Sequence, residues 1–163
     1  MNTTNLVWLI DFGYVTKASK GRSKVDYIET KKFLESRYKT SCLPIIFNSV
    51  DSHGVEIGLN QFYYTVKKAG FVVNLYRMEG GSQKQVDVAI GAHLVYYALK
   101  GYTIVLSSGD IDFVPAIEVA RKDNDKINIM LLTFKFGVND ELSERASDHL
   151  FFEDHVAMQK TKP

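Results

Sequence analysis

The chain has 163 residues, 45% hydrophobic and 24% charged, with 20 basic against 19 acidic side chains for a formal charge of +1. That length suits one domain across residues 1–163 with a full core, and the near-neutral balance excludes global basicity as the means of holding a polyanion, leaving that to local patches. A single cysteine, Cys42, excludes an internal disulfide and a cysteine-built zinc site, so a reducing, cytoplasmic setting is the expectation.

The first five residues carry no charged side chain, and the apolar run behind them is too short for a signal peptide. No stretch reaches the roughly 20 apolar residues that span a bilayer. The run Leu6 to Ile10 reads as a strand and ends in an acid, Asp11. A loop from Thr16 to Lys24 then carries Lys17, Lys20, Arg22 and Lys24. Helical period returns from Val25 to Tyr38, with Ser23 and Asp26 resembling a capping box. Cys42 to Phe47 reads as the second strand, followed by a polar connection from Asn48 to Gly54. Glu56 to Ala69 is predicted helical and Gly70 stops it; Phe71 to Tyr76 is the third strand. A glycine-containing loop, Met78 to Lys84, precedes a helix from Gln85 to Leu99 that Gly101 ends. Thr103 to Ser107 is the fourth strand, and a helix from Phe113 to Lys122 opens behind it, with Asp112 as cap and Pro115 in its first turn. A fifth strand from Ile127 to Leu132, a helix from Asn139 to Ser147 and a short sixth strand from Leu150 to Phe152 complete the chain.

This alternation predicts an α/β domain with a mostly parallel sheet and helices on both faces. Strands that are continuously apolar, rather than alternating, agree with burial on both sides. Open sheets of this kind place their ligand crevice at the carboxyl ends of the strands. Asp11 follows the first strand, and Asp110 and Asp112 follow the fourth. Asp87 lies in the first turn of the helix whose apolar stripe is Val86, Ile90, Leu94 and Tyr97. Taken singly, Asp87 is an ordinary first-turn acid and Asp112 an ordinary cap. Together the four converge if the first and fourth strands are neighbours. Four carboxylates in one crevice raise each other's pKa unless a cation relieves them. Oxygen-only donors suit Mg2+ or Mn2+.

Asp11 behind its strand, Lys84-Gln85-Val86-Asp87-Val88-Ala89-Ile90, and Ser108-Gly109-Asp110-Ile111-Asp112-Phe113-Val114-Pro115 together resemble the NYN domain family, the LabA-like branch of the PIN-like nucleases. The resemblance runs from the first strand through the fifth and on toward Phe152. It implies a Rossmann-like three-layer α/β/α sandwich and metal-dependent endoribonuclease activity, with Asp11, Asp87, Asp110 and Asp112 as catalytic metal ligands. Two positions depart from the pattern. Tyr14 stands where many members have Asn, and His93 stands where members often have a further acid.

An RNA substrate needs basic groups around such a centre, and Lys17, Lys20, Arg22, Lys24, Lys84 and Lys135 border the expected crevice. Tyr14, Phe136 and His93 are candidates for stacking on unpaired bases, with core packing or surface exposure as the plain alternative. His53 reads as a turn residue, and His149 and His155 as surface residues. Tyr63-Tyr64 and Tyr96-Tyr97 mark core positions or a homo-oligomer contact. The substitutions at 14 and 93 motivate a second function, a non-cleaving RNA-binding or regulatory module that kept the acids. Other acid-rich phosphotransfer folds fit less well. Toprim domains want Glu after the first strand, and haloacid-type phosphatases want an acid where Gly13 stands. A receiver domain wants a Lys after the fifth strand, which Lys135 offers.

Overall fold

The computed structural model describes residues 4–19, 24–50, 57–78, 84–155 and 158–159. Strand β1 (Leu6–Asp11) runs directly into helix α1 (Phe12–Ala18), and the short β2 (Lys24–Val25) precedes α2 (Tyr27–Tyr38). Next come β3 (Cys42–Val50), α3 (Ile57–Lys68), β4 (Val72–Arg77), α4 (Lys84–Leu99) and β5 (Thr103–Ser107). A 3-10 turn (Ile111–Phe113) leads to α5 (Val114–Ala120), followed by β6 (Ile129–Thr133), α6 (Asp140–Arg145), β7 (Asp148–Phe151), α7 (Phe152–His155) and β8 (Met158–Gln159).

Six strands form one sheet in the order β4-β3-β1-β5-β6-β7, and every neighbouring pair is parallel. β2 and β8 make a separate antiparallel pair. All six residues of β1 are buried, as a central strand with helices on both faces requires. Alternation along that strand sorts the core into two layers. Leu6, Trp8 and Ile10 join Phe12, Val15, Tyr27, Leu34, Tyr63 and Val66 from α1, α2 and α3. Val7 and Leu9 join Val86, Ile90, Leu94, Ile117 and Leu142 from α4, α5 and α6. Each fully buried side chain of this size contributes about 1.5–3 kcal/mol. The predicted three-layer α/β/α sandwich, PIN-like in form, is the fold observed.

Several boundaries differ from expectation for local reasons. The predicted loop at Thr16 begins inside α1, because Asp11 ends the strand and caps the helix at once: its carboxylate accepts from the Tyr14 N–H. α2 starts at Tyr27, with Asp26 as its N-cap accepting from the Glu29 N–H at 3.0 Å; Ser23 lies outside the described residues. β3 continues beyond Phe47 into the expected polar connection, because Asn48, Ser49 and Val50 pair with Leu75, Tyr76 and Arg77 of the edge strand β4. Asn139 is the cap of α6 rather than its first residue, its side chain accepting from the N–H groups of Glu141 and Leu142. His149 is half-buried, with Thr133 Oγ1 at 2.7 Å from Nε2 and Ser143 Oγ at 3.0 Å from Nδ1, and burial lowers its pKa.

Gly70 and Gly101 do stop their helices. Both have positive φ, and the N–H groups of Phe71 and Tyr102 reach back to Val66 and Tyr97. The cap at Asp26 supports a direct measurement. Asp26→Ala removes an acceptor for an otherwise unpaired helix N–H and costs about 1 kcal/mol. Thermal unfolding should register this as a fall of roughly 2–4 °C in Tm.

Candidate metal centre

The sheet grows in one direction from β1 through β3 to β4, and in the other from β5 through β6 to β7. The connections leaving β1 and β5 therefore diverge, which opens a crevice above the carboxyl ends of these two neighbours. They are the first and fourth predicted strands, and their register pairs Ile10 with Ser107. Asp11 stands at the lip, buried. Its Oδ1 accepts from the Tyr14 N–H at 3.2 Å, and its Oδ2 accepts from Ser108 Oγ at 3.0 Å. Burial nevertheless raises its pKa, outweighing these two bonds, and the Asp110 charge adds to the rise.

Beyond β5 the chain is tightly constrained. Ser107 is fully buried and its Oγ accepts from the Trp8 indole N–H at 2.9 Å. Gly109 lies against the backbone of Gly137 so closely that a Cβ would collide with the Gly137 carbonyl. The Asn139 N–H donates to the Gly109 carbonyl at 3.0 Å, tying the two loops together. Asp110 caps the 3-10 turn, its Oδ1 accepting from the Asp112 N–H at 2.9 Å. The capping role expected of Asp112 is thus taken by Asp110. The intervening 3-10 turn shifts the start of α5 to Val114, whose N-cap Phe113 makes no side-chain bond, with Pro115 in the first turn as expected.

α4 packs across β1, β3 and β5 and against α5, which carries its first turn to the same crevice. Each of Asp87, Asp110 and Asp112 offers a carboxylate oxygen, and the three oxygens lie within 4.8 Å of one another. The Asp87 carboxyl is pushed up to about 6, first by burial and then by the charges of Asp11, Asp110 and Asp112. Every one of those influences raises it.

A pH dependence follows for the metal-free protein. The folded-state pKa of Asp87 lies above its ordinary 3.8. Between the two values the folded state holds a proton that the unfolded state has lost, so stability falls as pH rises through that window and levels off above it. In chelator, the wild-type urea midpoint measured relative to that of Asp87→Asn should fall as pH rises from 3.8 to about 6.

The remaining sequence candidates fall in varied places. Lys84 is exposed at the start of α4, one turn before Asp87 and on the same side of the helix. Lys17 is exposed in the last turn of α1, and Lys24 is exposed on β2. Lys20, Arg22 and His53 lie outside the described residues. Lys135 is engaged already, its Nζ 2.7 Å from Asp154 and its N–H donating to Glu153. Tyr14 turns its hydroxyl to accept from the Phe134 N–H at 3.2 Å. His93 donates from Nδ1 to the Ala89 carbonyl at 2.7 Å, with its ring edge-on to Phe47 at 4.9 Å. Both departures from the family pattern are therefore absorbed by packing. The approach of Gly109 to Gly137 escaped the sequence reading, since two glycines 28 positions apart give no local signal of contact.

Residues 6–153 match the NYN domain. The chain belongs to the NYN domain family. NYN domains are generally nucleases of PIN-like type. No curated protein sequence matches the chain. Among solved structures, it is similar to the crystal structure of a Vibrio parahaemolyticus protein of unknown function, with a TM-score of 0.77 and 18% identity over 95% of this chain and 96% of the other. At that identity the likeness speaks for the shared fold. Among the described residues of this NYN domain, no helix is long and apolar enough to cross a membrane.

Proposed function

We propose that this NYN domain is a metal-dependent ribonuclease, an endonuclease that hydrolyses RNA phosphodiester bonds at Asp11, Asp87, Asp110 and Asp112. The observation that carries the reading is the mutual approach of Asp87, Asp110 and Asp112 within 4.8 Å, with Asp87 pushed up to about 6 by burial and by its acidic neighbours. An all-oxygen donor set of this charge fits Mg2+ or Mn2+. A divalent cation held there supplies activation of a water and neutralisation of charge on the phosphate.

The chain's own residues supply position. The Tyr14 N–H and Ser108 hydroxyl fix both oxygens of Asp11. The Asp112 N–H fixes the Asp110 carboxylate, which leaves the Asp112 side chain free of any capping duty. Asp87, whose carboxyl is pushed up to about 6, would hold a divalent cation in its deprotonated form together with Asp110 and Asp112. Lys84, one turn before Asp87, is the first candidate to meet an RNA phosphate, with Lys17 and Lys24 as further candidates and Lys20 and Arg22 outside the described residues.

The test is incubation of purified protein with total RNA and Mn2+, followed by mapping of new 5′ ends. Wild type should generate discrete ends and Asp11→Asn should not. Ends that persist in the variant would sink the reading. RNA retention without any cleavage would favour the regulatory-module alternative.

A further inference from the structure

Helix α4 buries Val86, Ile90, Leu94 and Ala98, so elementary amphipathicity asks for polar and charged residues on its opposite side. That side is apolar instead. Val88, Tyr96 and Leu99 are 71%, 51% and 67% exposed, Ala92 is exposed, and Val95 is half-buried. No Asp, Glu, Lys or Arg occurs from Val88 to Leu99. The contrast with α2 is direct, since that helix carries the ion pairs Lys31–Glu35 and Lys32–Glu29. α5 extends the apolar face. A Cβ at Gly91 would rest on Ala116 of α5, and Val119, three residues further along, is 54% exposed.

The stripe Val88, Ala92, Val95 and Leu99 follows spacings of four, three and four, the period of a helix–helix seam. Those spacings read the same in both directions. A second α4 laid antiparallel across the first therefore sets Val88 opposite Leu99 and Ala92 opposite Val95, and the same two pairs recur beyond the two-fold axis. Every layer joins a larger side chain to a smaller one, whereas a parallel pairing sets Ala92 on Ala92 and Leu99 on Leu99. A stripe without charge meets itself with no repulsion, and antiparallel helix dipoles attract. With Tyr96 and Val119 it offers roughly 400 Å2 of apolar surface, the centre of an interface that buries about 800 Å2 on each side. Exposed Gln85, Lys100 and Glu118 stand at the rim, where polar groups belong. We propose that the outer face of α4 is the two-fold contact of a homodimer, its occupant a second copy of this chain. The register brings the Lys100 end of α4 in one copy level with the Asp87 turn of the other. It sets the two Asp87 turns about 20 Å apart along the helix axis. The contact is independent of what the acids do.

The test is sedimentation equilibrium on the full chain. Wild type should run at twice the 18.5 kDa chain mass at micromolar concentration. Val88→Lys and Leu99→Glu should each weaken association at least about 100-fold by placing an unpaired charge in the contact, with the native far-ultraviolet circular dichroism retained because both positions face solvent in the single chain. Mixed one to one, the two variants should recover a dimer, because the antiparallel register sets the new lysine of one chain against the new glutamate of the other. A wild type that stays at one chain mass up to about 100 μM overturns the dimer, and its flotation with neutral phosphatidylcholine vesicles would give the face to a lipid surface instead. A dimer that survives both single variants overturns the interface. Loss in both without recovery on mixing overturns the antiparallel register.

Discussion

On the ribonuclease reading, Asp110→Asn should abolish Mn2+-dependent RNA cleavage, lowering kcat by at least about 100-fold, while the protein remains folded. The magnitude follows from the several kcal/mol that a correctly held divalent ion contributes to the transition state. Asparagine keeps the acceptor that caps the 3-10 turn, so the Asp112 N–H retains its partner and the local backbone has no reason to move. What disappears is one negative charge of the three whose oxygens lie within 4.8 Å. The same substitution should make the chelator-treated protein slightly more stable, because Asp110 is one of the charges that raise Asp87. Reduced activity together with raised metal-free stability separates a functional acid from a structural one. Equal activity in wild type and variant would defeat the assignment.

Gly109→Ala should be the most damaging single substitution outside the core. The added methyl would enter the Gly137 carbonyl and press on the Val138 Cα, and neither is a flexible side-chain end that can swing away. Forcing the two loops apart costs about 3 kcal/mol, a fall of roughly 6–12 °C in Tm for a chain of this size. It also displaces Asp110, the next residue, so cleavage should fall about 100-fold even well below the melting transition. Gly70→Ala is the matched control. It carries the positive φ, 94°, that Gly109 lacks, but has open space where the Cβ would go, so it should cost only about 1 kcal/mol of backbone strain and leave cleavage untouched.

The contrast between those glycines describes what the sequence makes legible. Gly70 is a helix stop, a local event with a local signature, and it was readable. So were the strands, because a central parallel strand such as Leu6–Asp11 is apolar on both faces and leaves no other interpretation. The acids were readable as strand-end residues, and the adjacency of β1 and β5 follows once the sheet is doubly wound. Long-range contacts were not. Nothing near Gly109 announces Gly137, and nothing near Lys135 announces its ion pair with Asp154. Helix α1 was missed because one residue, Asp11, ends a strand and begins a helix with no turn between, and the basic residues after it read as a solvated loop. Asp112 was mistaken for a cap because a 3-10 turn consumes three residues before α5 begins.

The pairing of β1 with β5 has a consequence for the life of the molecule. β1 is translated well before one of its two neighbours, which starts only at residue 103. A nascent chain therefore owns Asp11 long before it owns Asp110 and Asp112, and it cannot hold a cation between them. On the ribonuclease reading, the nascent domain is harmless to the messenger being decoded beside it until β5 and the acids behind it have emerged and paired with β1.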